Sequence, residues 1–297
     1  MSYDLYLTST GDDLTLDRFT QYFASRPNFR VEGSQAWYQN EDTGTYFVFE
    51  YEEQGVSNAP DDDDDDDESP PHQCSFNLNY YRPTVFATEA EPELRALIET
   101  FSLTVDDPQL GGMGVGPYQS EGFLEGWRRG NEFGYQAILG QNRTEQVYTL
   151  PTIEIERIWL WNLRRAARQA EVGDGLFVPR VVYLDVDGAP QSAVVWPDGI
   201  PSVVPRVDLL IVPRQQLAPR RLFSKTPDRA LVTWPEAEPL LRAHASLVDG
   251  PAYSISYLTP PTEVVAFIKR LKSSDEQLKG IAADTILNAE LAAKYSV

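Results

Sequence analysis

The chain has 297 residues, 42% of them hydrophobic and 11% aromatic, which suffices for a sizeable core and excludes a disordered polypeptide. Its net charge of −20 is uneven: residues 1–150 hold 28 Asp and Glu against 8 Arg and no Lys, while 151–297 hold 17 of each sign. So acidic a first half repels nucleic acid and anionic membranes and attracts basic partners within a Debye length of roughly 10 Å.

In chain order, "YDLYLTS" (3–9) reads as a strand, and "LTLDRFTQYFASR" (14–26) as a helix. That helix places Leu16, Phe19, Tyr22 and Phe23 at helical spacing, with Thr15 as N-cap and Pro27 as stop. "QAWYQ" (35–39) and "TYFVFEYE" (45–52) form a hairpin through Asn40 to Gly44. In its second strand Phe47, Phe49 and Tyr51 share one face, and Tyr46, Val48 and Glu50 the other. "SFNLNYY" (75–81) is a further alternating strand, and Glu89 to about Phe101 a helix. The expected fold class is α+β, with a β-α-β-β-β-α antiparallel module at the amino terminus and a second, mixed α+β region after it.

Between the strands ending near Glu52 and starting near Ser75 lies "APDDDDDDDESPPHQC". Adjacent carboxylates repel and stay hydrated, so residues 54–73 are expected to be a disordered insertion in a hairpin. Asp61, Asp62, Asp63, Asp64, Asp65, Asp66, Asp67 and Glu68 read first as a solvated spacer and second as a long-range attractor for a basic partner.

Gly111, Gly112, Gly114 and Gly116 make 109–122 look like a connector, which divides the chain into an acidic module (1–108) and an α+β domain (123–297). The later expectations are helices over 123–140 and 153–172, then strands over 177–186, 191–196 and 207–212 with an Asp187-Gly188 turn. A strand over 230–234, a helix over 236–247, a strand over 253–258 and helices over 262–272 and 275–295 close the chain.

Motifs for chemistry are sparse. The glycine cluster has the wrong spacing for a phosphate loop, and Asp185-Val186-Asp187-Gly188 lacks the later ligands of a calcium loop, Val194 standing where the glutamate belongs. Two histidines, His72 and His244, and one thiol, Cys74, leave little material for triads or a zinc site, so no metal, cofactor or catalytic residue is assigned. The single cysteine also excludes an intrachain disulfide. The opening residues lack a leader's basic and apolar regions, and no apolar run spans a bilayer, so a cytoplasmic location is expected. Arg206, Arg214, Arg220, Arg221 and Lys225 read as a solvated basic face or a mate for the acidic half. Trp159 and Trp161 diverge by about 200° on one helix, so one of them should be exposed or pack against the other half.

The stretches "MSYDLYLTS", "AWYQNEDTGTYFVFEYEE" and "FVPRVVYLDVDGAPQSAVVWPDGIPSVVPRVDLLIVPR" resemble uncharacterised cytoplasmic proteins of myxobacteria and other high-GC bacteria, and the ratio of 20 Arg to 5 Lys agrees with such a source. Some proteins of that kind resemble immunity partners of secreted toxins, which implies the same class here. The expectation is a non-enzymatic immunity-type inhibitor that docks a basic, possibly nuclease, toxin. Asp61–Glu68 would steer the partner, and Tyr38, Tyr46 or Trp159 would anchor it. A carboxylate hydrolase with a cleft between the halves, and a scaffold subunit, are the alternatives.

Overall fold

Tyr3, Leu5 and Leu7 alternate with Asp4, Tyr6 and Thr8, and the first set is fully buried. That phase runs through the whole first sheet. The computed structural model describes residues 1–9, 11, 14–52, 72–141, 147–217, 228–248, 252–274 and 277–295. They divide into one unit of Met1–Val147 with Leu287–Val297, and a second of Tyr148–Ile286. Mixed α+β architecture is found in both.

The first unit opens with β1 (Ser2–Ser9) and α1 (Leu16–Ala24), whose Thr15 hydroxyl accepts from the Arg18 amide as the expected N-cap. Asn28, in the left-handed region, turns the chain into β2 (Phe29–Glu32), a strand the alternation did not announce. β3 (Gln35–Gln39), β4 (Tyr46–Tyr51) and β5 (Cys74–Asn79) follow as expected. Next come α2 (Val85–Phe101), β6 (Leu103–Asp107), β7 (Gly114–Gly116) and α3 (Ser120–Leu139). The sheet order is β2-β3-β4-β5-β1-β6-β7, antiparallel throughout.

One face of this sheet is packed with rings. Phe23 of α1 stacks on Phe49 at 5.0 Å, Phe49 meets Phe76 at 5.1 Å, and Phe76 meets Phe123 of α3 at 5.8 Å. α2 buries Leu94, Leu97, Ile98 and Phe101, and reaches the same face through Glu89, which accepts from Tyr38.

The expected connector at 109–122 is not where the chain divides. Gly114–Gly116 pairs with β6, and α3 lies against β1 through its glycines: a Cβ on Gly126 would come 2.5 Å from the Tyr3 hydroxyl oxygen. The chain crosses to the second unit only after Val147, so helix 123–140 belongs to the acidic unit.

The second unit contains β8 (Tyr148–Leu150), α4 (Thr152–Leu163), α5 (Arg165–Val172), β9 (Val182–Val186), β10 (Ala189–Val195), β11 (Ser202–Pro205) and β12 (Leu209–Pro213). It continues with β13 (Arg229–Thr233), α6 (Trp234–His244), β14 (Ser246–Val248), β15 (Ala252–Ile255), α7 (Thr262–Arg270) and β16 (Lys279–Ile281). A five-stranded sheet, β13-β12-β10-β9-β16, is mixed because β10 and β12 run parallel; β11-β15-β14 is antiparallel.

Three expectations are corrected here. The helix over 153–172 breaks at Arg164. Asn162 and Trp161 are fastened to the 179–181 segment: the Asn162 amide bonds Val181 in both directions, and the Trp161 indole donates to the Pro179 carbonyl. α5 beyond the break buries nothing, Ala166 and Ala170 included. The same ties shorten the strand expected over 177–186. A helix over 275–295 is also absent. β16 pairs with Tyr183 to Asp185, β17 (Ile286–Asn288) returns the chain to the first unit, and α8 (Ala289–Tyr295) packs there through Leu291 and Ala292 beside Tyr135.

Candidate protein-interaction face

The other face of the first sheet carries Ser2, Asp4, Tyr6 and Thr8 of β1, Tyr46, Val48 and Glu50 of β4, and Ser75, Asn77 and Asn79 of β5, all half-buried. Pairing sets them in rows. One row runs Glu32, Gln35, Glu50, Ser75, Tyr6, Asp106, Val115, and the next Arg30, Trp37, Val48, Asn77, Asp4. With strands about 4.8 Å apart, Glu50 and Asp106 are separated by three steps, about 14 Å. Trp37, 38% exposed, and Val115, 81% exposed, are the large apolar groups at the ends of this surface.

The face is negative. Asp4, Glu32, Glu50, Glu52 and Asp106 stand against Arg30, which is itself held 3.2 Å from Glu32, and Arg82 at the Tyr46 end. Tyr6 registers the field: burial raises its phenol above the ordinary value, and Asp4, Glu52 and Asp106 push it further the same way. The His72 ring lies tilted against Tyr6 at 4.3 Å between centroids, and its Nε2 lies 2.9 Å from a Glu52 oxygen. The Glu52 amide donates to the Gln73 carbonyl at 2.9 Å. Asp61, Asp62, Asp63, Asp64, Asp65, Asp66, Asp67 and Glu68 lie outside the described residues, but the residues flanking that stretch meet beside Tyr6. Cys74 is fully buried on the opposite phase, and burial raises its thiol.

The expected aromatic anchors fall differently. Tyr38 points into the core, 4% exposed, and donates to Glu89 at 2.8 Å; it cannot anchor a partner. Tyr46 does sit at the end of the uncovered face, but its ring is edge-on to Phe86, and its hydroxyl accepts from Arg82 Nε at 2.7 Å. Trp159 belongs to the second unit and is half-buried, while Trp161 is buried under the Arg168 guanidinium at 4.7 Å. Trp37 and Tyr6 were missed. The signal was present in the alternation, since Ala36 and Tyr38 share the inward phase and leave Trp37 outside.

Two buried carboxylates elsewhere in this unit are saturated by donors. Glu89 Oε1 accepts from Tyr38, Asn40 at 2.7 Å and Thr43 at 3.0 Å, tying the 40–45 turn to α2. Asp107 accepts from the Tyr3 hydroxyl at 2.7 Å and from the Met113 and Gln109 amides. A Cβ on Gly112 would lie 2.3 Å from that carboxylate, so the glycine cluster is a turn wrapped on Asp107. Tyr3 is raised by burial first and by its bond to Asp107 second.

In the second unit the Asp187-Gly188 turn forms as expected, both residues at positive φ. Asp185 is occupied by Lys279 at 2.7 Å and the Tyr148 hydroxyl at 2.7 Å, which together hold its carboxyl below the usual range. Arg214, expected on a solvated basic face, is instead 5% exposed, paired with Asp228 at 2.8 Å and donating to the Ile268 carbonyl. Arg220, Arg221 and Lys225 lie outside the described residues. Trp196, Leu241, His244, Ile255, Tyr257 and Val264 line a shallow depression with no enclosed room for a water molecule, and the Tyr257 hydroxyl is turned to the Gly199 carbonyl. Among the described residues no three His, Cys, Asp or Glu side chains are grouped to hold a metal ion, and no helix is long and apolar enough to cross a membrane.

Compared with protein-family models, with curated proteins and with solved structures, the chain shows no match.

Proposed function

We propose that the protein is a non-enzymatic binding protein, an immunity-type inhibitor whose acidic first unit docks a basic toxin on the uncovered face of the seven-stranded sheet. The observation that carries this reading is that face itself: among the described residues the helices pack mainly on the ring-lined side, and the other sets Asp4, Glu50, Glu52 and Asp106 around Tyr6, with exposed Trp37 nearby. Most of the partner's attraction would be long-range, since the first 150 residues carry the whole net charge. Such fields raise association rates by about 10- to 1,000-fold. A nuclease fits as the toxin class, because its phosphate-binding surface is basic and carboxylates spread over a sheet can occupy it. Asp61–Glu68 adds eight carboxylates to the charge of the same unit.

The test is retention from extracts of the source cells at about 50 and 300 mM salt, which straddle strong and weak screening. Wild type is compared with a triple variant, Asp4→Asn, Glu50→Gln and Asp106→Asn, and the retained protein is purified and its activity assayed with and without inhibitor. A basic toxin held at low salt, released by the triple substitution and inhibited on binding is the expected result. A partner held equally by both proteins at both salts would overturn the reading in favour of an apolar scaffold contact.

A further inference from the structure

Three aromatic rings of the first unit carry a guanidinium of the same chain over them. Arg82 lies 5.3 Å from the Tyr46 centroid, Arg26 4.9 Å from Tyr22, and Arg18 5.2 Å from Phe101. The first is informative because Tyr46 has the phase of the uncovered face, and Arg82 both stacks on the ring and donates to its hydroxyl. That surface therefore already accommodates one arginine by stacking and hydrogen bonding at once. Trp37 and Tyr6 stand on the same face; among the described residues no guanidinium lies over Trp37, while Tyr6 carries the His72 ring at 4.3 Å. Arg30, directly opposite Trp37, is turned to Glu32. Each ring has a carboxylate within cross-strand reach: Asp106 is opposite Tyr6, and Glu50 is diagonal to Trp37.

Resting on the docking reading above, we propose that the uncovered face recognises arginine side chains of its basic partner in preference to lysine. Trp37 is the stacking platform and Glu50, diagonal to it, receives the stacked guanidinium, while Asp4 and Asp106, three and four strands away, receive other arginines of the partner. The physical basis is that guanidinium is planar, weakly hydrated and able to donate in parallel pairs to a carboxylate while stacking on a ring. An ammonium ion is compact, strongly hydrated and forms no such stack. The long-range field cannot distinguish the two cations, so any preference comes from local geometry.

Labelled oligo-arginine and oligo-lysine peptides of equal length, titrated into the full-length protein by fluorescence anisotropy at about 150 mM salt, test this. A variant with Ser-Gly repeats in place of Asp61–Glu68 serves in parallel, so that the tract's undirected attraction is removed. Oligo-arginine should bind about five-fold tighter or more. Trp37→Ala should bring the ratio close to one with the lysine affinity changed less than about two-fold, and Trp37→Phe should keep most of the preference. Trp37 is partly exposed, and thermal melts of both variants verify that the fold is retained. Equal binding of the two peptides, or a ratio untouched by Trp37→Ala, overturns the inference. If a basic partner is still lost on neutralising Asp4, Glu50 and Asp106 while the arginine preference is missing, only this inference fails. If neutralisation leaves the partner bound, the docking reading itself fails.

Discussion

Glu89 shows what a single carboxylate does inside this protein. It is 4% exposed, and three side chains from β3 and the turn after it, Tyr38, Asn40 and Thr43, donate to one of its oxygens. Burial first and Glu89 second push the Tyr38 phenol upward, which favours the protonated form that donates to the carboxylate. Glu89→Ala leaves three buried groups without that acceptor, each costing about 1–3 kcal/mol, and the expected loss is about 3 kcal/mol or more in urea unfolding. Glu89→Gln, which keeps an acceptor oxygen, should lose less. A loss under about 1 kcal/mol for the alanine variant would mean that water replaces the carboxylate and the knot is dispensable. None of this was legible in the sequence, because Glu89 and its partners are 46 to 51 positions apart. Phase was legible, and it went unused for Tyr38: an aromatic two residues from Ala36 on a half-buried strand belongs inside with it.

At the scale of elements, amphipathic periodicity found α1 and α2, and alternation found β1 and β3 to β5, because each buries one face only. Elements held mainly by distant partners were lost. β7 is three residues of glycine-rich chain that pair only because β6 is there, and Lys279–Ile281 and Ile286–Asn288 are strands where a helix was expected. α3 was found, but the role of its glycines was not legible. They are contact points: a Cβ on Gly130 would lie 2.0 Å from the Tyr80 ring, which is 7% exposed and donates through its hydroxyl to Gln109. Gly130→Ala therefore sets two effects against each other. Alanine gains about 1 kcal/mol of helix propensity, while overpacking against a tethered ring costs about 1–3 kcal/mol. Since 2.0 Å is far inside van der Waals contact, the clash should win, with net destabilisation of about 1–2 kcal/mol in denaturant unfolding. Combining it with Tyr80→Leu should recover part of the loss. A neutral or stabilising Gly130→Ala would show that the ring swings away freely.

For the whole molecule, charge was the most legible property, since the first 150 residues hold all of the net −20 and Asp61–Glu68 contributes eight of those carboxylates. The boundary between units was not legible, because the last residues return to the first unit through Asn288, which accepts from the Thr84 amide at 2.9 Å across 204 positions. If the tract steers and the sheet face anchors, their kinetic signatures should separate. Fields act on approach, whereas local contacts act on escape. Replacing Asp61–Glu68 by Ser-Gly should lower the association rate of the basic partner about three- to ten-fold at 50 mM salt. At 300 mM, where the Debye length is about 5 Å, the fall should be less than about two-fold. Dissociation should be unchanged at both salts. Trp37→Ala should do the opposite, raising the dissociation rate and leaving association within about two-fold. Stopped-flow mixing with the purified partner measures both. A tract replacement that speeds dissociation would mean that the aspartates touch the bound partner, and the division of labour between steering segment and anchoring face would be wrong.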